Sequence, residues 1–275
     1  MRIGHPLPTG PTLPTLLSLQ AAHRRTIAFE NLSVRMGEGV ECSGDAVFAK
    51  LVAAARGGFC FEHNRLFADM LAVAGYDCRL VASRVLLGNP QAIPARSHCL
   101  LLVRLREETW IADAGFGGAY TPPMELADGG TAQSSDGARH RLRQLAFDDA
   151  RGDWLLERKG PRAAGDGRGA SDTIWEAQYA FDMAPTVPAD LAMGCHWAAT
   201  HPSSRFTNHT VVSLCLPNGF ASLVDRSLTV WEAGRPPLRE QIGTPSRYRN
   251  VLSERFGLEL STQQVGRLPL FDPGP

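Results

Sequence analysis

Apolar residues recur at helical spacing through the first quarter of the chain and at strand-like spacing through most of the remainder. Leu13, Leu16, Leu17, Leu19, Ala21 and Ala22 form one apolar stripe and predict a first helix. Ser43 is a good N-cap for a second helix over 44–56, with Val47, Leu51 and Val52 turned inward. A third helix is predicted over 60–74, with Leu66, Met70, Leu71 and Val73 inside and Gly75 as its stop. From Arg79 the pattern changes. Segments 79–87, 98–105, 110–113, 141–147, 154–158 and 174–181 are short and rich in β-formers. Gly, Pro, Asn and Asp separate them, which predicts a small antiparallel barrel or a strongly bent sheet. Residues 160–172 read as a long, polar, mobile loop. A helix over 190–200 then bridges to strands at 209–216, 220–224 and 228–231 and a last helix near 248–256. The expected fold class is α+β in three parts: an N-terminal helical bundle (1–78), a central antiparallel β-barrel (79–185), and a linking helix with a C-terminal α/β lid (186–275). No internal repeat is present.

Composition narrows the classes of function. The 275 residues carry 28 basic and 28 acidic side chains. A formal charge of zero gives no long-range pull toward nucleic acid or an anionic membrane. No window approaches the ~20 apolar residues of a membrane-spanning helix, and residues 1–8 lack the apolar core of a signal peptide. Cysteines 42, 60, 78, 99, 195 and 215 show no CxxC spacing. In a chain of this length without a secretion signal they read as reduced cytoplasmic thiols. Cys195, His196, His201 and His209 match no standard zinc spacing, so no metal is expected.

The chemistry concentrates in Arg56-Gly57-Gly58-Phe59-Cys60-Phe61-Glu62-His63-Asn64. A cysteine directly after a Gly-Gly break sits on the first turn of the predicted third helix. There the positive end of the helix dipole favours thiolate, the nucleophilic form. Downstream, Ser97-His98-Cys99 puts an imidazole at the start of a strand. Ala112-Asp113-Ala114-Gly115 puts a carboxylate where another strand breaks into a glycine-rich loop. Cys60, His98 and Asp113 thus form a plausible thiol triad: the imidazole takes the thiol proton and the carboxylate fixes its tautomer. His63 is the rival base, but three residues along the helix it points away from the attacking side of the sulfur. Arg56, Glu30, Glu62 and Asn31 are polar groups in apolar surroundings and need partners. Arg56 is expected to tie the Phe29-Glu30-Asn31 turn to the cysteine-bearing helix.

The segment around Cys60 resembles the active-site signature of the arylamine N-acetyltransferases. So do Ile27-Ala28-Phe29-Glu30-Asn31-Leu32, Ala112-Asp113-Ala114-Gly115-Phe116-Gly117 and Thr200-His201-Pro202-Ser203-Ser204-Arg205-Phe206, in the family's order. The resemblance implies a papain- or transglutaminase-like catalytic core, and Cys60, His98 and Asp113 as the catalytic triad. It implies acetyl-CoA as acyl donor and a primary arylamine or hydrazine as acceptor, joined by a ping-pong mechanism through an acetyl-cysteine. Phe29, Phe116 and Phe206 are expected to supply the flat apolar slot for the aromatic amine. Gly117, Gly118 and Ser204 are assigned to binding of the CoA thioester. A local basic pocket for its phosphates could form among Arg162, Arg168, Arg205, Arg235, Arg239, Arg247 and Arg249, although for any single one a solvated surface position is the favoured reading. Small molecules are the expected partners, with a monomer or homodimer as the assembly. Family members usually begin with a further short helix, whereas here Met1 sits almost on the Arg-Ile-Gly-like segment. Two other enzymes share the triad logic: an amide synthase of the same family closing a macrolactam, and a cysteine hydrolase or transglutaminase-like enzyme. They differ in the acceptor, which the triad alone does not specify.

Overall fold

A computed structural model describes residues 2–6 and 10–271; residues 1 and 7–9, part of the stretch read above for a signal peptide, lie outside it. Helix α1 (Leu13–Thr26) starts at Thr12, whose hydroxyl accepts from the Thr15 N–H. Its buried face is Leu16, Leu19, Gln20, His23 and Arg24, while Leu17 faces out. Three polar residues turn inward because each finds partners there. Gln20 Nε2 donates to the Thr121 carbonyl at 2.7 Å, and Arg24 Nη2 donates to the Phe116 carbonyl at 2.8 Å. A two-residue strand β1 (Phe29–Glu30) and a single turn α2 (Leu32–Arg35) follow.

Helix α3 (Gly44–Phe48) is capped by Ser43, as its sequence predicts, and continues into a π-helical turn, Ala49–Ala53. It ends short of the expected residue 56 because Ala55 takes a left-handed conformation (φ 52°). Helix α4 (Cys60–Val73) follows, closed by Gly75 at φ 84°. Phe67 and Leu71 are fully buried against α1 and the sheet. Val73, expected inside, is 92% exposed because, two residues past Leu71, it falls on the side of the helix away from the buried Phe67 and Leu71.

Gly57 and Gly58 do not serve a left-handed turn. A Cβ at Gly58 would stand 2.9 Å from Glu62 Cβ, and one at Gly57 would run into the Ala28 carbonyl. The closeness lets the Glu30 N–H donate to the Gly58 carbonyl at 2.7 Å. The polar groups flagged in the sequence pair here. Arg56 Nη2 meets Glu30 Oε1 at 3.0 Å, and Glu30 Oε2 accepts from the Leu32 N–H at 2.6 Å. Glu62 binds Lys50 at 2.7 Å and accepts from the Phe59 N–H at 3.0 Å, holding the start of α4.

The central part is β2 (Asp77–Val85), β3 (His98–Leu105), β4 (Glu108–Ala112), β5 (Met124–Glu125), β6 (Thr131–Gln133), β7 (Arg139–Gln144), β8 (Trp154–Lys159) and β9 (Glu176–Phe181). They form one antiparallel sheet in the order β5-β4-β3-β2-β9-β8-β7-β6. Its two edge strands, β5 and β6, are joined by residues 126–130 alone. So short a link holds the edges together and curls the sheet into a nearly closed barrel. Leu100, Leu102, Ile111, Leu142, Leu156 and Tyr179 fill the interior. The 160–172 loop is not the free segment the sequence predicts. Ala164 and Asp166 are buried, and the Asp166 N–H donates to the Gly118 carbonyl at 2.9 Å.

Helix α5 (Pro188–Thr200) and the turn α6 (Arg205–Asn208) lead to β10 (Val211–Leu216), β11 (Gly219–Val224), β12 (Ser227–Glu232) and β13 (Leu238–Gln241). Helices α7 (Pro245–Phe256) and α8 (Thr262–Gly266) cover that sheet with Tyr248, Val251, Leu252, Phe256 and Val265. The sheet order is β1-β10-β11-β12-β13, so Phe29 and Glu30 belong to a sheet built otherwise from the last third of the chain. Asn31 reinforces the join: Nδ2 donates to the Phe206 and His209 carbonyls at 2.8 and 2.7 Å, and Oδ1 accepts from the Val211 N–H at 2.7 Å.

The cysteines depart from the expectation of six reduced thiols. Cys42 and Cys195 form a disulfide between the segment before α3 and helix α5; Cys60, Cys78, Cys99 and Cys215 are free. Residues 153 apart in sequence gave no local spacing to read. Among the described residues no helix is long and apolar enough to cross a membrane.

Two predictions concern stability. Arg56→Ala leaves the Glu30 carboxylate buried without its cation, a loss of about 3–5 kcal/mol in chemical denaturation; a variant as stable as the parent contradicts a structural role for Arg56. The second concerns a buried histidine pair between α1 and α4, where His23 Nε2 lies 2.8 Å from His63 Nδ1. Burial, with Arg24 and Arg2 nearby, lowers His23 to about 3. An unfolded histidine takes a proton near 6.5. Between those values the unfolded chain binds more protons, so stability is full above about pH 6.5 and falls as pH drops toward 3. His23→Gln should flatten the dependence of unfolding free energy on pH in that window by about 1.4 kcal/mol per pH unit, measured by urea titrations at several pH values.

Candidate active site

Cys60 is the first residue of α4 and is 3% exposed. Its Sγ donates to the Ser97 carbonyl at 3.6 Å, directly before the histidine that opens β3. Burial pushes the thiol well up, and the nearby Asp113 carboxylate adds to this. The N–H groups of Phe61 and of Cys60 itself pull the other way. The helix start therefore acts on the sulfur as the sequence implies, but desolvation outweighs it. By itself this environment favours the neutral thiol.

His98 is 2% exposed, and its Nε2 lies 2.8 Å from Asp113 Oδ2. Asp113 sits just past the end of β4, where the strand gives way to the glycine loop. Its other oxygen accepts from Asn64 Nδ2 at 3.0 Å and from the Gly115 N–H at 2.9 Å. Burial drives this carboxyl up. The His98 ring, Asn64 and the Gly115 N–H outweigh that and hold it below the ordinary range. An ionised Asp113 accepts at Nε2–H of His98, which leaves Nδ1 as the ring's basic nitrogen.

Asn64, one turn beyond Cys60 on α4, clamps the assembly. Nδ2 also donates to the Cys99 carbonyl at 2.6 Å, and Oδ1 accepts from the Ala114 N–H at 2.9 Å. One side chain thus joins the helix that bears Cys60 to the strand of His98 and the loop of Asp113. A Cβ at Gly115 would lie 2.6 Å from Asn64 Nδ2 and 2.7 Å from the Cys60 carbonyl, so the loop passes this closely only with glycine. His63 has both ring nitrogens engaged, with His23 and with the Ala28 carbonyl at 3.1 Å, and is fully buried. It is part of the packing under the site.

Cys60 and His98 line one cavity of about 220 Å³, and Phe29, Phe116, Gly117, Ser204 and Phe206 line it with them. Phe29 and Phe206 stand 5.8 Å apart between ring centroids, and Phe116 meets the His98 ring edge-on at 5.3 Å. A Cβ at Gly117 would press into the Phe29 ring at 2.5 Å. Gly118 is set back from the cavity behind Leu87 and Phe116, and its carbonyl anchors Asp166. Ser204 lines the cavity, but its hydroxyl is engaged in its own turn, donating to the Ala198 carbonyl at 2.5 Å and accepting from the Phe206 N–H at 3.2 Å.

Sequence reading missed several members. Tyr179 on β9 packs against His98 and Phe116, each at 5.1 Å between centroids. Nothing in 174–181 distinguishes that tyrosine from an ordinary core aromatic. Trp197, Asp166 and Val85 also line the cavity, along with Arg168 and Arg205, which the sequence offered only among seven arginines. Cys195, weighed as a metal ligand, is in the disulfide.

A family model described as N-acetyltransferase matches residues 12–265. The arylamine N-acetyltransferase of Escherichia coli (strain K12) is 34% identical over 256 residues, covering 92% of this chain and 85% of that protein. An arylamine N-acetyltransferase / N-hydroxyarylamine O-acetyltransferase of Salmonella typhimurium is 34% identical over 268 residues, covering 95% and 88%. Among solved structures, the Salmonella typhimurium arylamine N-acetyltransferase superimposes with a TM-score of 0.86 at 30% identity, covering 97% of this chain and 94% of that one. The Mycobacterium marinum arylamine N-acetyltransferase in complex with CoA does so with 0.86 at 28% identity, covering 98% and 97%. A thiol at a helix start, an imidazole and a buried carboxylate, held by one asparagine in a fold shared over nearly its whole length with these enzymes, place the chain in the arylamine N-acetyltransferase family.

Proposed function

We propose that Cys60 carries an acetyl group from acetyl-CoA to the nitrogen of an arylamine or arylhydrazine, with His98 as the base and Asp113 as the residue that orients it. The observation that carries this reading is the 2.8 Å pair of His98 Nε2 and Asp113 Oδ2, which leaves Nδ1 as the basic nitrogen of a ring that lines one cavity with Cys60. In the first half-reaction His98 accepts the Cys60 proton as the sulfur attacks the thioester carbonyl. The C–S bond to CoA breaks, and CoA leaves with that proton. The imidazolium formed on the way is stabilised by Asp113. In the second half the amine nitrogen attacks the acetyl-cysteine, His98 takes the amine proton, and the thiol is restored. The Cys60 N–H at the start of α4 is the natural donor to the tetrahedral oxyanion.

A buried, neutral thiol suits this cycle. It resists stray alkylation and becomes nucleophilic as its proton passes to the ring. The ring faces of Phe29, Phe116 and Phe206 supply flat apolar walls at the scale of one aromatic acceptor.

Intact-mass measurement after mixing with acetyl-CoA should show one added acetyl on the wild type and none on Cys60→Ser. Persistence of that acetyl without amine, and its discharge by 4-methylaniline, distinguishes a transferase from a hydrolase. Varying both substrates should give parallel double-reciprocal lines; intersecting lines contradict the two-step scheme. Asp113→Asn keeps the size of the side chain but loses the charge that fixes the imidazole. Its kcat should fall by about 10³–10⁴-fold; turnover within a few fold of wild type would remove Asp113 from the mechanism.

A further inference from the structure

Two cations line the catalytic cavity and share one buried anion. Arg168 Nε and Nη2 both contact Asp166 Oδ2 at 2.8 Å, and Arg205 Nη2 approaches the same oxygen at 3.7 Å. Asp166 is 4% exposed and is pinned through its N–H to the Gly118 carbonyl. Two guanidiniums against one carboxylate leave a net positive charge at the cavity wall. Arg205 is the less satisfied of the two, because its buried Nε has no hydrogen-bond partner. Asp225 also acts on Arg205 through its charge, but its hydrogen bonds go to His209 at 2.8 Å and the Thr210 N–H at 2.9 Å. Asp166 also lines a second cavity of about 400 Å³, with Arg162, Arg239, Ser222 and Thr229 in its wall.

We infer that Arg205 and Arg168, set by Asp166, form an anion subsite of the catalytic cavity. Its ligand is an oxyanion, for which a half-buried guanidinium with spare donors is the fitting partner. The inference rests on the acyl-transfer reading of the site and refines it by naming ligand chemistry. Two sources carry such a group. One is a carboxylate on the acceptor ring, as in an aminobenzoate, where the aromatic walls and the cation line the same 220 Å³. The other is a phosphate of the CoA donor. A space of 220 Å³ holds one ring and an acyl group but not a nucleotide, so the rest of the donor must extend past the cavity wall.

The experiment compares wild type, Arg205→Gln and Arg168→Gln by the ratio of kcat/KM for an anionic over a neutral partner. For the acceptor, 4-aminobenzoate is set against 4-methylaniline with p-nitrophenyl acetate as donor. For the donor, acetyl-CoA is set against p-nitrophenyl acetate with 4-methylaniline as acceptor. A fall of about tenfold in the first ratio assigns the site to the acceptor carboxylate, and the same fall in the second assigns it to the CoA phosphates. Ratios within twofold of wild type for both variants overturn the subsite, as does an equal loss on all four substrates, the mark of a structural role. Calorimetric titration of CoA and of 4-aminobenzoate into Cys60→Ser, with and without Arg205→Gln, reads the subsite without turnover. Should the wild type fail to acetylate, the acyl-transfer reading falls while these titrations still decide the anion subsite: weaker binding of either ligand in the double variant supports it, and unchanged binding of both overturns it.

Discussion

A carboxylate held ionised in the protein interior is the constraint around which this site is arranged. Removing a charge from water costs several kcal/mol even after relaxation, and Asp113 is almost wholly buried. It keeps its charge because three groups converge on its two oxygens: the His98 ring, the Asn64 amide and the Gly115 N–H. Each charge-assisted bond contributes about 1.5–3 kcal/mol, so the set offsets the desolvation only while all three are in place. That requirement fixes the distance between α4, β3 and the loop after β4. The same carboxylate sets the tautomer of His98 and raises the Cys60 thiol. Packing, protonation and reactivity are therefore one coupled problem.

The helix dipole is the smaller influence on the Cys60 thiol. Helix-terminal N–H groups stabilise a thiolate by a kcal/mol or so at a wet surface. At Cys60 the loss of water is larger and of opposite sign. In the proposed cycle the thiolate is never a resting species. The proton moves between sulfur and ring inside a closed unit whose net charge does not change, with Asp113 compensating the imidazolium. An apolar cavity and a reactive thiol coexist on those terms.

Distant stretches of the chain meet at the cavity. Phe29 comes from β1, which hydrogen-bonds to β10 far along the sequence; Phe116 comes from the glycine loop, and Phe206 from α6. Asn31 and the Arg56–Glu30 pair hold this junction from beneath. Asp166 reaches it from a loop whose glycines and arginines look like solvent-exposed filler. A polar composition carries no information about which residues turn inward, here Ala164 and Asp166.

The sequence by itself determined most elements and pointed to the groups proposed to react. The period-3.6 pattern located α1, α4 and α7, because each helix buries one face; β3 and β8 were legible as short apolar or β-forming runs, buried on both sides. The order of Cys60, His98 and Asp113 was legible since each stands at a break between an apolar run and glycine or polar residues. Short strands such as β1, β5 and β6 left no trace, for two or three residues make no period and their pairing partners are far away in the chain. The inward Gln20, His23 and Arg24 contradicted the apolar stripe of α1 because backbone carbonyls from the 114–121 loop receive Gln20 and Arg24, and the His63 ring receives His23. The Cys42–Cys195 disulfide, the clamp by Asn64, the ring of Tyr179 and the arginine pair on Asp166 were decided only by tertiary structure. Each depends on two segments approaching within a few ångströms, a distance set by the packing of the whole fold and encoded at neither position alone.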